Sequence, residues 1–398
     1  MAERKAIRLG SVVRTNVSTY SEKEGWAFVN YLDTGNITQD TISEIQRINV
    51  GTDKLPSRAR RKVQIGNIIY STVRPNQLHY GFIKSQPDNF LVSTGFAVID
   101  VNEKEAVPEY IYYFLTHRDV TERLQAIAEQ STSAYPSIKP SDIEDLTIDL
   151  PPIEEQRKIV GLLKMLDGKI KQNTEINNNL TEQARSIYQS WFIDYEPFGR
   201  TMPLDWIPSS LGGVATMKTD SWSPSKNPET IVEHYSIPAY DEKHYPVFEI
   251  ASGIKSNKYI LTPDSVMISK LNPDTKRIWR PMWLSAHPIC STEFIVYEAK
   301  KAAQKDFVYS ILDSAPFLNF LCSHTTGSTN SRQRATPKAT LDFPIMLPPD
   351  SIIEEFCQIV SPMYDLISKN IIENQSLAKA RDIMLPKLMN GELDVSDL

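Results

Sequence analysis

Residues 150–192 read LPPIEEQRKIVGLLKMLDGKIKQNTEINNNLTEQARSIYQSWF, and this stretch decides the fold. Along it, apolar residues and two asparagines recur alternately four and three positions apart, which is the spacing of a helix that packs one stripe against a partner helix. A second stripe of the same design lies 197 residues further on. The first stripe is Ile159, Leu163, Leu166, Ile170, Asn173, Asn177, Leu180, Ala184, Ile187 and Trp191, and the second is Phe356, Val360, Met363, Ile367, Asn370, Asn374, Leu377, Arg381, Met384 and Leu388.

The two stripes predict two long helices. Each follows a Leu-Pro-Pro step, at Leu150 and Leu347, and proline suits the first turn of a helix but cannot continue a sheet ladder. A helix of about 40 residues is about 60 Å long, and its apolar stripe needs a partner. We predict that the two helices pair as an antiparallel coiled coil in which the asparagines fix the register; the alternative is that each helix packs separately on its own domain. The predicted pairing residues are Leu163, Leu166, Ile170, Asn173, Asn177, Leu180, Val360, Met363, Ile367, Asn370, Asn374 and Leu377.

The stretches that precede the helices also repeat. Ile68-Ile69-Tyr70-Ser71 and Pro75 align with Val266-Met267-Ile268-Ser269 and Pro273 at an offset of 198 residues. Further matches stay in order near the same offset across most of each half, and this period is far longer than the about 20–50 residues of a solenoid repeat. One unit is therefore duplicated, which predicts a pseudo-two-fold molecule.

Each copy begins with a mixed domain. β-branched and aromatic runs, separated by Gly, Pro, Asn and Asp, predict strands at 67–73 and 91–101 and their counterparts at 265–271 and 292–297. Helical patterns at 108–118 and 306–313 make the fold class α+β. The predicted organisation is a first domain at 1–150, a long helix at 151–198, a second domain at 199–347 and a second long helix at 348–398.

Composition limits the class of protein. The chain is 41% apolar, and it contains neither an apolar run of the about 20 residues that a membrane span needs nor a signal-peptide core, so we expect a cytoplasmic protein. Cys290, Cys322 and Cys357 lack zinc-ligand spacing and are expected to be free thiols.

The net charge is −6, with 23 basic and 26 acidic residues in 1–198 and 20 and 23 in 199–398. Because a DNA binder that acts alone is usually basic, this balance argues against tight unaided DNA binding.

Catalytic motifs are missing from the sequence. The chain has no Asn/Asp-Pro-Pro-aromatic loop of an amino-methyltransferase, no glycine-rich cofactor loop and no Walker A sequence. Asp264, Glu298 and Lys300 have the spacing of a metal-dependent nuclease, but the first half does not share the pattern. We therefore expect no enzyme activity, no metal and no cofactor in this chain.

Basic residues in acid-free windows point instead to DNA. No acid lies between Asp53 and Asp88, or between Asp313 and Asp342, and a third basic patch surrounds Trp279. Lysine and arginine bind phosphate, and arginine, asparagine and glutamine read base edges through paired hydrogen bonds. The predicted DNA-binding residues are Arg58, Arg60, Arg61, Lys62, Arg74, Asn76, Gln77, Tyr80, Lys276, Arg277, Arg280, Arg332, Gln333, Arg334 and Lys338.

This organisation resembles the specificity subunits of type I restriction-modification systems, which have two target-recognition domains, each followed by a long helix. In that family a domain commonly ends in a Gly-Ser-Thr-like stretch, then a Leu-Pro-Pro step and a Glu-Gln-x-x-Ile helix start. The first copy has Gln130-Ser-Thr132 and then Leu150-Pro-Pro-Ile-Glu-Glu-Gln-Arg-Lys-Ile159. The second has Gly327-Ser-Thr329 and Leu347-Pro-Pro349 but lacks the Glu-Gln pair, and Leu385-Pro-Lys-Leu-Met-Asn-Gly-Glu-Leu393 is also typical. The resemblance covers nearly the whole chain.

The resemblance implies a function in defence against foreign DNA. Each domain would read one part of a split, asymmetric target in double-stranded DNA, with opposite polarity, and the helices would set the gap between the parts. Two methyltransferase subunits would supply S-adenosylmethionine chemistry on an adenine flipped out of the duplex. Motor-nuclease subunits would add ATP- and Mg-dependent cleavage, so this chain itself would bind none of these cofactors.

Two other classes of function stay open at this stage. An adaptor would recruit a protein through its paired helices and bind no DNA, and it predicts no salt-sensitive DNA affinity even with partners present. A nuclease would use Asp264, Glu298 and Lys300, and it predicts Mg²⁺-dependent cleavage by the purified chain alone.

Overall fold

The computed structural model describes residues 4–131, 135–326 and 333–395, which form two compact units. Unit 1 comprises Met1–Gly168 and Leu377–Leu398, and unit 2 comprises Lys169–Ser376. Two long helices, Ile153–Phe192 and Asp350–Met389, each contribute residues to both units. Each unit therefore contains one mixed domain and a segment of each long helix.

Among the described residues, unit 1 is built from short strands, three short α-helices, several 3-10 turns and parts of the two long helices. The strands are β1 (Lys5–Arg8), β2 (Val13–Thr15), β3 (Phe28–Leu32), β4 (Ile37–Thr38), β5 (Thr41–Ile42), β6 (Gln46–Asn49), β7 (Ala59–Lys62), β8 (Ile68–Ser71), β9 (Tyr80–Phe82), β10 (Phe90–Ser93), β11 (Phe96–Val101) and β12 (Thr147–Leu150). The helices are α1 (Pro108–Thr116), α2 (Arg118–Glu129), α3 (Pro140–Glu144) and α4 (Ile153–Phe192).

The strands of unit 1 pair in a mixed topology. One sheet has the order β6-β3-β10-β7, in which β3 and β10 are parallel and the outer pairs are antiparallel. Another has the order β2-β11-β8-β9 and is antiparallel throughout. β1 pairs with β12, so the start of the domain is fixed to the strand that leads into α4.

Unit 2 has its own strands and helices. The strands are β13 (Ile207–Ser210), β14 (Ala215–Lys218), β15 (Ser221–Trp222), β16 (Ile231–Tyr235), β17 (Val247–Ile250), β18 (Lys258–Ile260), β19 (Ser265–Ser269), β20 (Ile278–Trp279), β21 (Pro288–Ser291), β22 (Phe294–Ala299), β23 (Thr325–Thr326), β24 (Arg334–Ala335) and β25 (Pro344–Leu347). The helices are α5 (Leu211–Val214), α6 (Ile237–Lys243), α7 (Lys305–Asp313), α8 (Ala315–Ser323) and α9 (Asp350–Met389).

The topology of unit 2 repeats that of unit 1. Its mixed sheet, β15-β18-β21-β16-β17, has the same central parallel pair, β16 with β21, and its antiparallel sheet is β14-β22-β19-β20. β13 pairs with β25, as β1 pairs with β12. The predicted α+β class and the predicted duplication are confirmed, since both halves place equivalent sequence segments in equivalent strands.

One predicted strand was wrong in its extent. The apolar run at 91–101 forms two strands, β10 and β11, which belong to different sheets. The break falls at Gly95, where a Cβ would come within 2.8 Å of the Thr34 side chain and where the carbonyl accepts the backbone N–H of Thr72 at 2.8 Å. Both strands are buried on both faces, so their side chains do not alternate in polarity and the sequence pattern cannot mark the change of sheet.

The start of α4 is fixed to the domain of unit 1 by a buried glutamine. The Gln156 side chain is fully buried, donates to the carbonyl of Pro151 at 2.8 Å and accepts the backbone N–H of Val107 at 2.8 Å. It occupies the glutamine position of the helix start noted in the sequence. In unit 2 the equivalent position is Ile353, which is buried in an apolar core instead.

Asparagines on the two long helices meet inside unit 2. Asn173 Nδ2 donates to Asn374 Oδ1 at 2.9 Å and to Glu373 Oε2 at 2.7 Å, and Asn370 Nδ2 donates to Asn177 Oδ1 at 2.8 Å. The residue numbers on the two helices increase in opposite directions, so the pairing is antiparallel, as predicted. The amide pairs join specific positions, which gives the register a physical basis.

The apolar part of the predicted stripe is shared between pairing and domain packing. In unit 1, Leu163 of α4 and Leu385 and Leu388 of α9 belong to one core with the domain. In unit 2, Val360 is fully buried in a core with the domain, and Met363 and Ile367 pack against that core. The two alternatives considered from sequence are therefore not exclusive, because the stripe residues contact the partner helix and also pack against the domains of both units.

Breaking one amide pair should destabilise unit 2, and replacing both partners should not. Asn173 is 1% exposed, so Asn173→Leu leaves Asn374 and Glu373 without their donor and should cost about 1–3 kcal/mol. In the double variant Asn173→Leu/Asn374→Leu an apolar pair replaces the amide pair, and the stability should return to at least the wild-type value. Urea unfolding of the full chain measures both, with Asn178→Leu, an exposed position on the same helix, as the control. A double variant no more stable than the single variant would contradict this account.

Candidate nucleic-acid interface

The predicted cations of β7 are partly neutralised by acids from elsewhere in the sequence. Arg60 Nη2 lies 3.0 Å from Glu22 Oε1, and Lys62 pairs with Glu24. Both acids lie on a short 3-10 helix, Glu22–Glu24, that precedes β3. Arg58, just before β7, is exposed and makes no ion pair within the described residues.

Two predicted residues of unit 1 are less exposed than a DNA contact requires, since Tyr80 is buried and Arg61 is half-buried. Tyr80 is 7% exposed and its ring stacks on Tyr70 at 5.8 Å between centroids, so DNA contact by Tyr80 stays a prediction that its burial does not favour. Burial lowers the pKa of Arg61, and its Nε is buried without a hydrogen-bond partner in the described chain. The apolar packing of β9 against β8 explains Tyr80, because the tyrosine faces the core rather than the loop that precedes it.

The loop after β8 presents polar side chains. Asn76 and Gln77 are exposed, and the loop is tied to α2 by the Asn76 N–H, which donates to Gln125 Oε1 at 3.2 Å. Arg74 is half-buried, and its guanidinium carbon lies 5.1 Å from the centroid of the Tyr135 ring. These side chains can donate and accept paired hydrogen bonds, as contacts to base edges require.

Ion pairs within unit 2 neutralise most of the positive charge of the basic patch around Trp279. Lys276 pairs with the buried Asp313 at 2.5 Å, and Arg277 forms two contacts with Asp241, at 2.6 and 3.0 Å. A cation that already has a carboxylate partner offers less charge to a phosphate. DNA contact by these two residues stays a prediction. The ion pairs make that contact less favourable than the sequence alone suggested.

Arg280 has a structural position. Its side chain is 15% exposed, and it contacts Asp306 at 2.7 and 3.1 Å and Asp365 at 2.8 Å. Asp306 lies on α7 and Asp365 on α9, so the guanidinium links two helices of unit 2. DNA contact by Arg280 therefore stays a prediction that its two ion pairs do not favour.

The second acid-free window is only partly described. Arg332 lies outside the described residues. Arg334 contacts Glu293 through two hydrogen bonds, at 3.0 and 3.1 Å, Gln333 is half-buried and Lys338 is exposed. The window is acid-free along the sequence but not in space, as in the first half of the chain.

Sequence reasoning missed Asn272. The equivalence of Pro75 and Pro273 placed Asn272 opposite Arg74, and that alignment was the signal for a second polar loop residue. The structure places both residues in the same left-handed conformation, with φ of 47° for Arg74 and 46° for Asn272.

The nuclease-like residues and the cysteines are engaged in ordinary local contacts. Glu298 accepts the Thr262 hydroxyl at 2.5 Å and lies 3.1 Å from Lys218 Nζ. Across the part of the chain that the structure describes, no group of three or more His, Cys, Asp or Glu side chains is arranged to hold a metal ion. Cys290, Cys322 and Cys357 are free thiols, as predicted. In the same described ranges, no helix has the length and apolar character that crossing a bilayer requires.

Comparison with known proteins finds similarity to specificity subunits of type I restriction enzymes. The family model for the type I restriction modification DNA specificity domain matches residues 7–182. Over 99% of its length the chain is 25% identical to the type I restriction enzyme HindI specificity subunit of Haemophilus influenzae, all of which is covered. Over 98% of its length it is 25% identical to the type I restriction enzyme MjaIX specificity subunit of Methanocaldococcus jannaschii, covering 93% of that protein.

A solved structure has the same fold. The S subunit of a type I restriction-modification system from M. genitalium matches 98% of this chain and 96% of its own, with a TM-score of 0.57 and 15% sequence identity. The similarity to the sequence relatives favours the DNA-recognition interpretation over the adaptor interpretation.

Proposed function

We propose, from the premise that this chain belongs to the family of type I restriction-modification specificity subunits, that it is the DNA sequence-recognition subunit of such a system. The observation that carries the proposal is the repeated mixed domain, with the same parallel strand pair in both units. Two copies of one reading domain suit a target in two parts. Because the polar loop residues differ between the copies, the two parts should differ in sequence.

Catalysis belongs to other chains in this proposal. Specificity subunits are in general non-catalytic members of their complexes. Two methyltransferase subunits would bind S-adenosylmethionine and methylate an adenine, and motor-nuclease subunits would bind ATP and Mg²⁺ and cleave DNA. The role of this chain is to bring both activities to one sequence.

Charge supports a dependence on partners. The chain has a net charge of −6, and Arg60, Lys62, Lys276 and Arg334 each have an acidic partner within their own unit. Phosphate contacts supply most of the non-specific affinity of DNA-binding proteins, so a chain with a negative net charge and several paired candidate cations should bind DNA weakly by itself. Methyltransferase subunits would complete the contact with the backbone.

The proposal is tested by the salt dependence of DNA binding. The purified chain, its methyltransferase subunit and the assembled complex are each titrated with a labelled duplex at several salt concentrations. We expect only the complex to bind tightly, with an affinity that falls steeply as salt rises. A complex without salt-sensitive DNA affinity would contradict the proposal and favour an adaptor.

A further inference from the structure

A loop with the same construction follows β8 in unit 1 and β19 in unit 2. We call residues 73–78 loop 1 and residues 271–276 loop 2. At the entrance to loop 1, Ser71 Oγ accepts the backbone N–H of Val73 at 3.2 Å and donates to its carbonyl at 2.8 Å. At the entrance to loop 2, Ser269 Oγ makes the same two contacts with Leu271, at 3.2 and 2.9 Å.

Each loop is anchored to the equivalent segment of its own unit, and the same type of turn closes both loops. The Arg74 N–H donates to the carbonyl of Pro136 at 2.9 Å, and the Asn272 N–H donates to that of Gln333 at 2.9 Å. The turn in loop 1 is closed by Gln77 N–H to Arg74 O at 2.9 Å. In loop 2, Thr275 N–H to Asn272 O at 3.0 Å closes it. The scaffold of the two loops is therefore equal within about 0.1 Å in every shared hydrogen bond.

The residue before the proline is strained in both loops. Arg74 and Asn272 have φ of 47° and 46°, in the left-handed region, although a residue that precedes proline prefers an extended backbone. Glycine would adopt this conformation without a steric penalty. Non-glycine residues kept in such a conformation concentrate at functional sites, where the surrounding structure imposes the strain. The two units thus impose one unfavourable backbone on two different polar residues.

The side chains of these residues are not committed to the fold. Within the described residues the Arg74 guanidinium makes no ion pair and lies over Tyr135. Asn272 Oδ1 is buried and has no hydrogen-bond partner among these residues, so the side chain must turn outward to contact a base. Arginine forms a bidentate contact with guanine, and asparagine forms one with adenine. Loop 1 continues with exposed Asn76 and Gln77. Loop 2 continues with exposed Asp274 and Thr275, and aspartate can accept from the cytosine amino group.

We propose that loop 1 and loop 2 are the equivalent base-reading loops of the two units, with Arg74 and Asn272 as the corresponding reading residues. The proposal rests on the proposed function and deepens it, because it assigns one half of the split target to each loop. The shared scaffold holds the reading residue in a fixed place, and the variable side chains determine which bases are accepted. Asn272 and Asp274 are thereby added to the candidate DNA-contacting residues. Asn76 and Gln77 are assigned to reading bases in the half of the target that loop 1 contacts.

Glycine variants test this assignment with little risk to folding. Arg74→Gly and Asn272→Gly remove the side chain and relieve the strained φ. Each variant is assembled with its methyltransferase subunit, and methylation rates are measured on duplex oligonucleotides that carry the wild-type target or one base change in either half. We expect Arg74→Gly to lose roughly 5- to 150-fold of discrimination in one half only, the size of one bidentate base contact. Asn272→Gly should lose a similar factor in the other half only.

Two further variants separate base reading from phosphate contact and from folding. Arg74→Lys keeps the charge but lacks the rigid planar fork of the guanidinium, so it should lose part of the discrimination that Arg74→Gly loses. Arg118→Ala, an exposed residue of α2, is the matched control and should keep the wild-type discrimination. The proposal is overturned if Arg74→Lys keeps full discrimination, if a glycine variant slows all duplexes equally, or if it changes both halves. A wild-type complex that methylates no split target would instead refute the proposed function.

Discussion

Replacing Phe356 by alanine should destabilise unit 2 by about 3–5 kcal/mol, the usual cost of removing a large buried ring. Phe356 is fully buried, and its ring lies 4.9 Å from that of Phe192 on α4 and 6.2 Å from that of Phe307 on α7. The rings of Trp191 and Tyr188 are 6.0 and 6.1 Å away. The variant therefore opens a cavity at the point where both long helices meet the domain.

Thermal unfolding followed by tryptophan fluorescence measures this loss. For a unit of this size, we expect the midpoint of its transition to fall by roughly 6–20 °C. Leu366→Ala is the matched control, since Leu366 lies on the same helix but is 42% exposed, and it should shift the midpoint by only a few degrees. Equal shifts for Phe356→Ala and Leu366→Ala would show that the aromatic cluster does not hold the helices to the domain.

Asp313→Ala should have the next largest effect, because one buried carboxylate holds two cations. The side chain of Asp313 is 3% exposed and contacts Arg185 at 2.6 and 3.1 Å and Lys276 at 2.5 Å. Removing one member of a buried ion pair commonly costs about 3–5 kcal/mol, and we expect about 3 kcal/mol here because Arg185 is 39% exposed and can be hydrated. Lys276 lies at the end of loop 2, so discrimination should also weaken in one half of the target.

A surface ion pair provides the comparison for Asp313. Asp241 pairs with Arg277 but is 44% exposed, so Asp241→Ala should cost less than about 1 kcal/mol. Urea unfolding of the three proteins gives the stabilities, and methylation of duplexes changed in one half or the other gives the specificity. If Asp313→Ala were as stable as Asp241→Ala, the buried carboxylate would not be an anchor of α4 and loop 2.

The long helices could be predicted because their signal is local and periodic. The asparagines at 173 and 177 stood at the same stripe positions as those at 370 and 374, and the structure pairs them across the two helices. The repeat was also visible in sequence, because equivalent strands keep short identical or similar runs. In contrast, the division of 91–101 into two strands was invisible, since burial on both faces removes the alternation that marks a strand.

The candidate site was less predictable because charge compensation acts through space. The window between Asp53 and Asp88 contains no acid, yet Glu22 and Glu24 reach its cations from more than 30 residues away in the sequence. Arg280 is likewise paired with Asp306 and Asp365. The reading role proposed for Asn272 depends on a backbone angle, which composition and spacing do not encode. An alignment of the two copies at Pro75 and Pro273 would have identified Asn272 as the counterpart of Arg74.

The central claim is tested most directly by mapping adenine methylation across the genome of cells that express this chain with its methyltransferase subunit. Cells that lack only this chain are the control. We predict a split, asymmetric methylated sequence in the first cells and its complete loss in the second. Methylation that persists unchanged without the chain, or the lack of a split sequence despite an active methyltransferase, would contradict the account.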